Sequence, residues 1–289
     1  MLKQRIPWPL KFCMKLLFGA AGVRYRVLKR AGVVEHGRME QADFARSVFD
    51  QHVTTALRSL NTTPSGTLLE LGPGDSVATG AIGRAAGFAQ VMLIDAGRFA
   101  DLRPDSLERL MGSLGAQPLG LRPGASAAEV LARLRQCGVE YDTEGLKSLQ
   151  RVATGSVAHS FSNVVLQHVY RDELPQMIAE LGRVHGTGSS ASHAVNFADH
   201  FSGGFLNHRF PEWIMESALM KRANLYTNRV GPLSLLDMFL GVGFDVRGLS
   251  VDFFDPPAPQ HVEYDSAAAF RIGAAGRRVL RVRYLLQKG

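Results

Sequence analysis

Cysteine is scarce in this chain of 289 residues: it holds two, Cys13 and Cys137. They stand far apart and form neither a metal-ligand spacing nor a disulfide framework, so a zinc module or a stapled secreted scaffold is not indicated. A reducing, cytoplasmic setting is the default expectation. Acids are missing from the first 34 residues, which carry Lys3, Arg5, Lys11, Lys15, Arg24, Arg26, Lys29 and Arg30. Long apolar runs are missing there too. The longest uncharged stretch of this arm, Leu16 to Val23, has 8 residues, against roughly 20 for a membrane-spanning helix. Lys11 and Lys15 interrupt the apolar segment and no small-x-small cleavage site follows, so a secretory signal is not expected. The other 255 residues carry 25 bases against 26 acids. That near-neutral body offers no basic stripe for phosphates and argues against a nucleic-acid partner. No internal repeat or low-complexity tract is present.

What is there is an ordinary globular composition, 46% hydrophobic and 20% charged, in a chain long enough for one large domain with additions. We divide it into a basic arm, residues 1–37, and a body, residues 38–289. The arm sets Trp8, Phe12, Met14, Leu16, Leu17, Phe18 and Val23 among its bases. Two readings of it stand open: an amphipathic segment on an anionic membrane surface, or a helix packed on the body with its basic face in water.

In the body, Phe44, Val48, Val53 and Leu57 recur at spacings of 4 or 5 and predict a helix over 38–60. Strands are predicted at Thr67 to Leu71, Val91 to Asp95, Val139 to Tyr141, Gly155 to Ser162, Ala191 to Phe197, Phe244 to Phe253 and Val279 to Leu286. Helices are predicted at Ala78 to Ala86, Leu107 to Leu114, Ala127 to Arg135, Leu174 to Val184 and Leu233 to Val242, with a turn at His185 to Gly188. This alternation predicts an α/β fold with a doubly wound, mostly parallel seven-stranded sheet. Residues 198–232 read as an irregular, aromatic-rich insertion after the fifth strand.

The first strand runs into Glu70-Leu71-Gly72-Pro73-Gly74-Asp75-Ser76, and the second ends on Asp95. A glycine turn followed by an acid at the next strand's end is how α/β domains hold nucleotides. The third glycine of the dinucleotide fingerprint is missing, and Val77 stands near its place. A nicotinamide dehydrogenase is therefore disfavoured.

These residues resemble the class I S-adenosylmethionine-dependent methyltransferases. Leu69 to Ser76 and Leu93-Ile94-Asp95 carry the resemblance, with Phe161 to Val169 after the fourth strand and Leu181 to Gly188 before the fifth. Gln167 stands where the family commonly has Glu, and His185-Gly186-Thr187-Gly188 replaces a Leu-Lys-Pro-Gly-Gly turn. Ser192-His193, Phe197-Ala198-Asp199-His200-Phe201 and Tyr226-Thr227-Asn228-Arg229 are similar to a bacterial subgroup associated with polysaccharide and surface-glycan genes.

The resemblance implies a Rossmann-like methyltransferase fold and S-adenosyl-L-methionine as cofactor, held by Glu70, Gly72, Pro73, Gly74, Asp75, Ser76, Asp95, Ser162, Asn163 and Leu166. Asp95 is expected at the ribose diol, Glu70 in the loop or near the cofactor's ammonium, and Asp142 or Thr143 near the adenine. A hydroxyl acceptor benefits from a general base. The candidates are His200 with Asp199 as its orienting acid, then His193 and His168, each weighed against a structural histidine. Metal ligation by His193, Asp199 and His200 lacks diagnostic spacing, and no metal is expected. Phe201, Phe205, Phe210, Trp213 and Tyr226 are expected to form a substrate lid or the insertion's own core, with Arg209, Arg222 and Arg229 available for an anionic group.

The expected activity is O-methylation of a sugar hydroxyl in a glycan or lipid-linked saccharide, at the inner membrane face. A soluble small-molecule acceptor and a non-catalytic cofactor-binding domain are the alternatives. Asp255-Pro256-Pro257-Ala258 is similar to an amino-methylation motif of enzymes acting on DNA, but follows the wrong strand and lacks the aromatic fourth residue.

Overall fold

The computed structural model describes residues 8–20, 38–200, 202–223, 225–253, 271–272 and 277–289. Lys3, Arg5, Val23, Arg24, Arg26, Lys29, Arg30, Phe201 and the 255–258 segment lie outside them. The body's helices are α2 (Ala42–Phe49), α3 (Thr55–Ser59), α4 (Ala78–Ala86), α5 (Pro104–Ser113), α6 (Ala127–Gln136), α7 (Leu146–Arg151), α8 (Leu174–Val184), α9 (Glu212–Met215), α10 (Ala218–Arg222) and α11 (Pro232–Gly241), and α1 (Trp8–Ala20) precedes them. The strands are β1 (Thr67–Leu71), β2 (Gln90–Ile94), β3 (Val139–Asp142), β4 (Val157–Asn163), β5 (His185–Asn196), β6 (Phe244–Phe253), β7 (Arg271–Ile272) and β8 (Arg277–Lys288).

Seven strands line up as β3-β2-β1-β4-β5-β8-β6, and the two-residue β7 pairs with β8 outside that order. The first five run parallel. β8 enters antiparallel between β5 and β6. The expected doubly wound, mostly parallel sheet is observed.

Strand alternation sorts the core into two layers. Leu68, Val91 and Leu93 face one, with Phe49, Ile82, Leu107 and Leu134. Leu69, Leu71 and Ile94 face the other, with Leu181, Phe239 and Tyr284. In α8, Leu174, Met177, Ile178 and Leu181 make the buried stripe that the 3.6-residue repeat requires. Helix α4 lies close on the sheet: a Cβ at Gly83 would stand 2.8 Å from Leu68 Cδ2 and 2.9 Å from Val91 Cγ2.

Two local expectations are corrected, and one helix is added. The helix expected over 38–60 begins at Ala42 and is broken by a π-turn, Asp50–Thr54. The turn adds the residue that brings Val53 back to the face of Val48. His185 to Gly188 is not a free turn but the start of β5, with His185 paired to Val157 ahead of a register shift. The His185 ring lies between the Leu181 and Ser190 carbonyls, 2.8 and 3.1 Å away, and fixes that entry. Helix α7 had no sequence expectation.

Helix α1 packs on the insertion. Phe12 stacks on Phe210, centroids 5.3 Å apart and planes within 8°. Phe12 and Leu16 join a small core of Met215, Met220, Ala223 and Leu225.

Candidate functional site

β1 ends at Leu71, and the chain turns through Gly72 and Gly74 at φ of 70° and 67°, a region that glycine enters without strain. The two glycines meet different surroundings. A Cβ at Gly72 would stand 2.4 Å from Val165 Cγ2, so the turn runs against the loop after β4. A Cβ at Gly74 would meet nothing within 4 Å, so one side of the turn is open. Pro73, between them, is buried.

Asp95 closes the turn from β2. Its Oδ2 accepts the Gly74 N–H at 3.0 Å and its Oδ1 accepts the Ala96 N–H at 2.7 Å. Glu70 is buried beneath and accepts the Thr79 hydroxyl. Asp75 and Ser76 are also buried, and Ser76 Oγ accepts the Ala78 N–H at 3.1 Å as α4 begins.

Burial pushes the Glu70 carboxyl up to about 8; the Thr79 hydrogen bond opposes this and the charge of Asp95 adds to it. Burial likewise raises Asp95 to about 6 against its two backbone hydrogen bonds, and Asp75 adds to the shift. Three carboxyls therefore gather around one glycine turn, and burial makes two of them, Glu70 and Asp95, resist ionising there. A cation in that place would relieve the strain.

After β4, Ser162 Oγ lies 2.9 Å from His193 Nδ1, with both residues wholly buried. Asn163 is half-buried. Leu166 is corrected: it is buried in the core beside Leu69 and Leu174. The neighbour that reaches the glycine turn is Val165, just after Val164, which sits at a positive φ of 63°.

His193 lies inside β5, as in the strand expected at Ala191 to Phe197, and is paired with Tyr284. Its ring stacks on Phe239 at 5.4 Å and 5°. Burial holds it well below the ordinary histidine range. It is a core residue.

Asp199 turns its carboxylate to Ser202 and Asn207. It accepts the Ser202 N–H at 2.5 Å, the Ser202 hydroxyl at 2.6 Å and the Asn207 N–H at 3.2 Å. The acid thus folds the loop on which His200 rides. The ring that faces His200 is His168: the two stack at 4.7 Å and 16°, with their Nε2 atoms 3.2 Å apart. Gln167 Nε2 lies 3.3 Å from His168 Nε2, and His168 Nδ1 lies 3.4 Å from the Tyr226 carbonyl.

Tyr226 to Arg229 clamps the insertion to this loop. Asn228 donates its side-chain amide to the Leu166 and Val169 carbonyls at 2.8 and 3.1 Å, and its backbone N–H to Gln167 at 2.9 Å. The Tyr226 hydroxyl accepts the Arg171 N–H at 2.8 Å. Arg229 donates through one nitrogen to the Phe210 carbonyl at 2.9 Å, which ties its guanidinium to the insertion's backbone. Phe205 and Tyr226 are buried and Phe210 is part of the insertion core, whereas Trp213 is 75% exposed.

His52 had no place among the sequence candidates. The π-turn aims its Nδ1 at the Ser192 carbonyl and hydroxyl, 3.0 and 2.9 Å away. It thereby ties the π-turn to β5. The available signal was the five-residue step from Val48 to Val53, since π-turns are frequent at functional sites.

Two clefts flank the sheet. One of about 250 Å³ is lined by Arg98, Tyr141, Asp142 and Thr143 at the ends of β2 and β3, where the adenine was expected. The other, of about 290 Å³, lies at the opposite end of the strands, where β4 and β5 begin, lined by Thr62, Ser156 and Ser189 among others, and is remote from the glycine turn. Among the described residues, no group of three or more His, Cys, Asp or Glu side chains is arranged to hold a metal ion.

No protein-family model and no curated protein matches the chain. Solved structures resemble it. Geranyl diphosphate C-methyltransferase from Streptomyces coelicolor A3(2) has a TM-score of 0.49 and 14% identity, covering 88% of this chain and 85% of its own. An S-adenosylmethionine dependent methyltransferase from Mesorhizobium loti has a TM-score of 0.46 and 11% identity, covering 81% of this chain and 96% of its own. At that distance the likeness is one of fold, and the fold rests on the strand order of this chain itself.

Proposed function

We propose that this chain is an S-adenosylmethionine-dependent methyltransferase that methylates a hydroxyl group, and that the acceptor is a sugar of a glycan or a lipid-linked saccharide. The observation that carries the cofactor reading is the carboxyl cluster of Glu70, Asp75 and Asp95 around a glycine turn open at Gly74. S-adenosylmethionine carries a sulfonium, an ammonium and a ribose diol. Buried negative charge suits the two cations, and a carboxylate at a strand end suits the diol. A nicotinamide dinucleotide would instead bring a diphosphate to the same acids, and like charges repel.

In this reading Asp95 holds the ribose hydroxyls, the buried Glu70 carboxyl gives up its proton when a cation sits beside it, and the open side of Gly74 lets the backbone approach. Ser162, bonded to His193, and Asn163 form the wall after β4. When bound, the cofactor supplies a methyl group activated by its positively charged sulfur. What remains for the chain is alignment of the acceptor and removal of its proton.

The histidine pair suits the second task. His168 Nδ1 faces a carbonyl, which requires an N–H there, so its Nε2 carries the lone pair. His200 Nε2 then donates to that lone pair at 3.2 Å, while Gln167 Nε2, which donates to the Val164 carbonyl at 2.9 Å, lies beside it at 3.3 Å. His200 is therefore protonated on Nε2 and basic on Nδ1. A proton taken from the acceptor hydroxyl leaves His200 as an imidazolium that still donates to His168. Gln167 suits this arrangement; a glutamate there would be an acceptor and would oppose it.

The saccharide acceptor is supported by the resemblance of Ser192-His193, residues 197–201 and Tyr226 to Arg229 to glycan-associated methyltransferases. Incubation with methyl-labelled cofactor and either lipid-linked glycans or soluble metabolite pools tests both halves. Label in the saccharide is expected. Label in soluble metabolites alone overturns the acceptor, and cofactor binding by calorimetry with no transfer to any pool overturns the enzyme.

A further inference from the structure

We infer that the unit formed by α1, α9 and α10 is a docking face for an anionic lipid surface. Helix α1 is apolar on two sides. Phe12 and Leu16 point into the insertion core. Leu10, Cys13 and Leu17, three and four residues apart, form a second stripe on the outside, with Leu10 53% and Leu17 69% exposed. A helix with one protein partner is expected to be polar on its far side. The insertion repeats the pattern, leaving Trp213 75% and Leu219 36% exposed on the outside of the same unit. A large indole in water needs a reason, and the boundary between water and hydrocarbon is where its ring and N–H are both satisfied.

Charge selects the occupant. Residues 8–20 and 206–223 together hold five Lys and Arg against two acids. Those acids are paired, Glu212 with Arg171 at 3.2 Å and Glu216 with Lys221 at 3.7 Å. The wider arm, 1–34, adds bases and no acid. Apolar side chains amid basic excess suit a bilayer with anionic headgroups. A second copy of this chain would bring the same charge and be repelled. No helix among the described residues is long and apolar enough to cross a membrane, and α1 has 13 residues, so the contact is one of lying on the surface.

The clamp from Tyr226 to Arg229 ties this unit to the loop bearing His168. Docking therefore brings the site to the surface where a lipid-linked acceptor would reside. In that purpose the inference rests on the proposed acceptor; its physical basis does not.

Sedimentation of the full chain with vesicles tests it, using phosphatidylcholine alone and phosphatidylcholine mixed with phosphatidylglycerol. Binding is expected only with the anionic lipid, and is expected to weaken as salt rises. Trp213→Ser, and Leu10→Asp with Leu17→Asp, alter exposed positions; circular dichroism checks their folding. Each is expected to bind the anionic vesicles at least about tenfold more weakly. No binding by the parent chain, equal binding by folded variants, or lipid-free self-association that Trp213→Ser abolishes would each overturn the inference. Cofactor titration of the same samples keeps the readings apart. Lost vesicle binding with intact cofactor binding removes the surface and leaves the methyltransferase, and the reverse result removes the methyltransferase and leaves the surface.

Discussion

His168 and His200 lie 32 residues apart in the chain, yet their rings meet Nε2 to Nε2 at 3.2 Å. β4 and β5 are neighbouring parallel strands, so the loops that leave their ends emerge side by side. If His200 takes the acceptor's proton, His200→Ala lowers kcat by about 10²- to 10⁴-fold and leaves cofactor affinity unchanged. His168→Ala, which removes the partner and not the base, costs less and alters the pH profile of the rate. Initial rates across pH with calorimetry of cofactor binding measure both. Full activity in His200→Ala would refute the assignment.

The two glycines of the turn should respond differently to one methyl group. Gly72→Ala combines a left-handed φ with a 2.4 Å collision at Val165 and is expected to cost about 3 kcal/mol of stability. Val165→Ala should restore part of that. Gly74→Ala has room, so it should cost about 1 kcal/mol while weakening cofactor binding through its open side. Urea unfolding and cofactor titration of the three variants decide it.

Asp95→Asn should weaken cofactor binding roughly ten- to a hundredfold, as loss of a charged hydrogen-bond acceptor does. Affinity of the parent chain should also fall as acid protonates Asp95 through about 6. Affinity that is flat from pH 8 to 5 would count against Asp95 as a ligand.

Stability should peak near neutrality, from two opposed sets of groups. Burial lowers His52 to about 4, His159 to about 3 and His185 to about 4, and lowers His193 also. Below 6.5 the unfolded chain binds protons that the folded one refuses, so stability falls as pH drops toward those values. Glu70 and Asp95 work the other way. Their contribution is full below 4.5 and 3.8 and is lost as pH rises through about 8 and about 6. The urea midpoint should therefore decline on both sides of about pH 6.5. Glu70→Gln should abolish the alkaline decline and leave the acid one.

Asn228→Ala leaves the Leu166 and Val169 carbonyls without their donor. A loss of about 1 to 3 kcal/mol is expected, with a fall in kcat as His168 loosens. Unchanged kcat in a folded variant would show that the clamp does not position the ring.

Much of this was legible in the chain. β1, β2 and the glycine turn announce themselves because a strand, two glycines and an acid are local in sequence. The stripe from Leu174 to Leu181 marks α8 for the same reason. The loop-closing bonds of Asp199 were not legible because a carboxylate's partners depend on how its loop folds, here onto Ser202 and Asn207. His193 stood inside the expected strand, but its burial against Phe239 depends on how α11 packs, which is not local in sequence. His52 stayed hidden because a π-turn changes which way a helical residue faces. The meeting of His168 with His200 depends on strand order, which no local pattern encodes.

The placement of β8 also bears on how the chain reaches this state. β6 is made before β8 but finds its partner only through it, and β5 keeps one edge bare until the same strand arrives. During synthesis that edge stands available to any other extended chain. Shortening residues 277–288 would not trim a border of the sheet. It would part β6 from the remainder and present β5 as a template for aggregation.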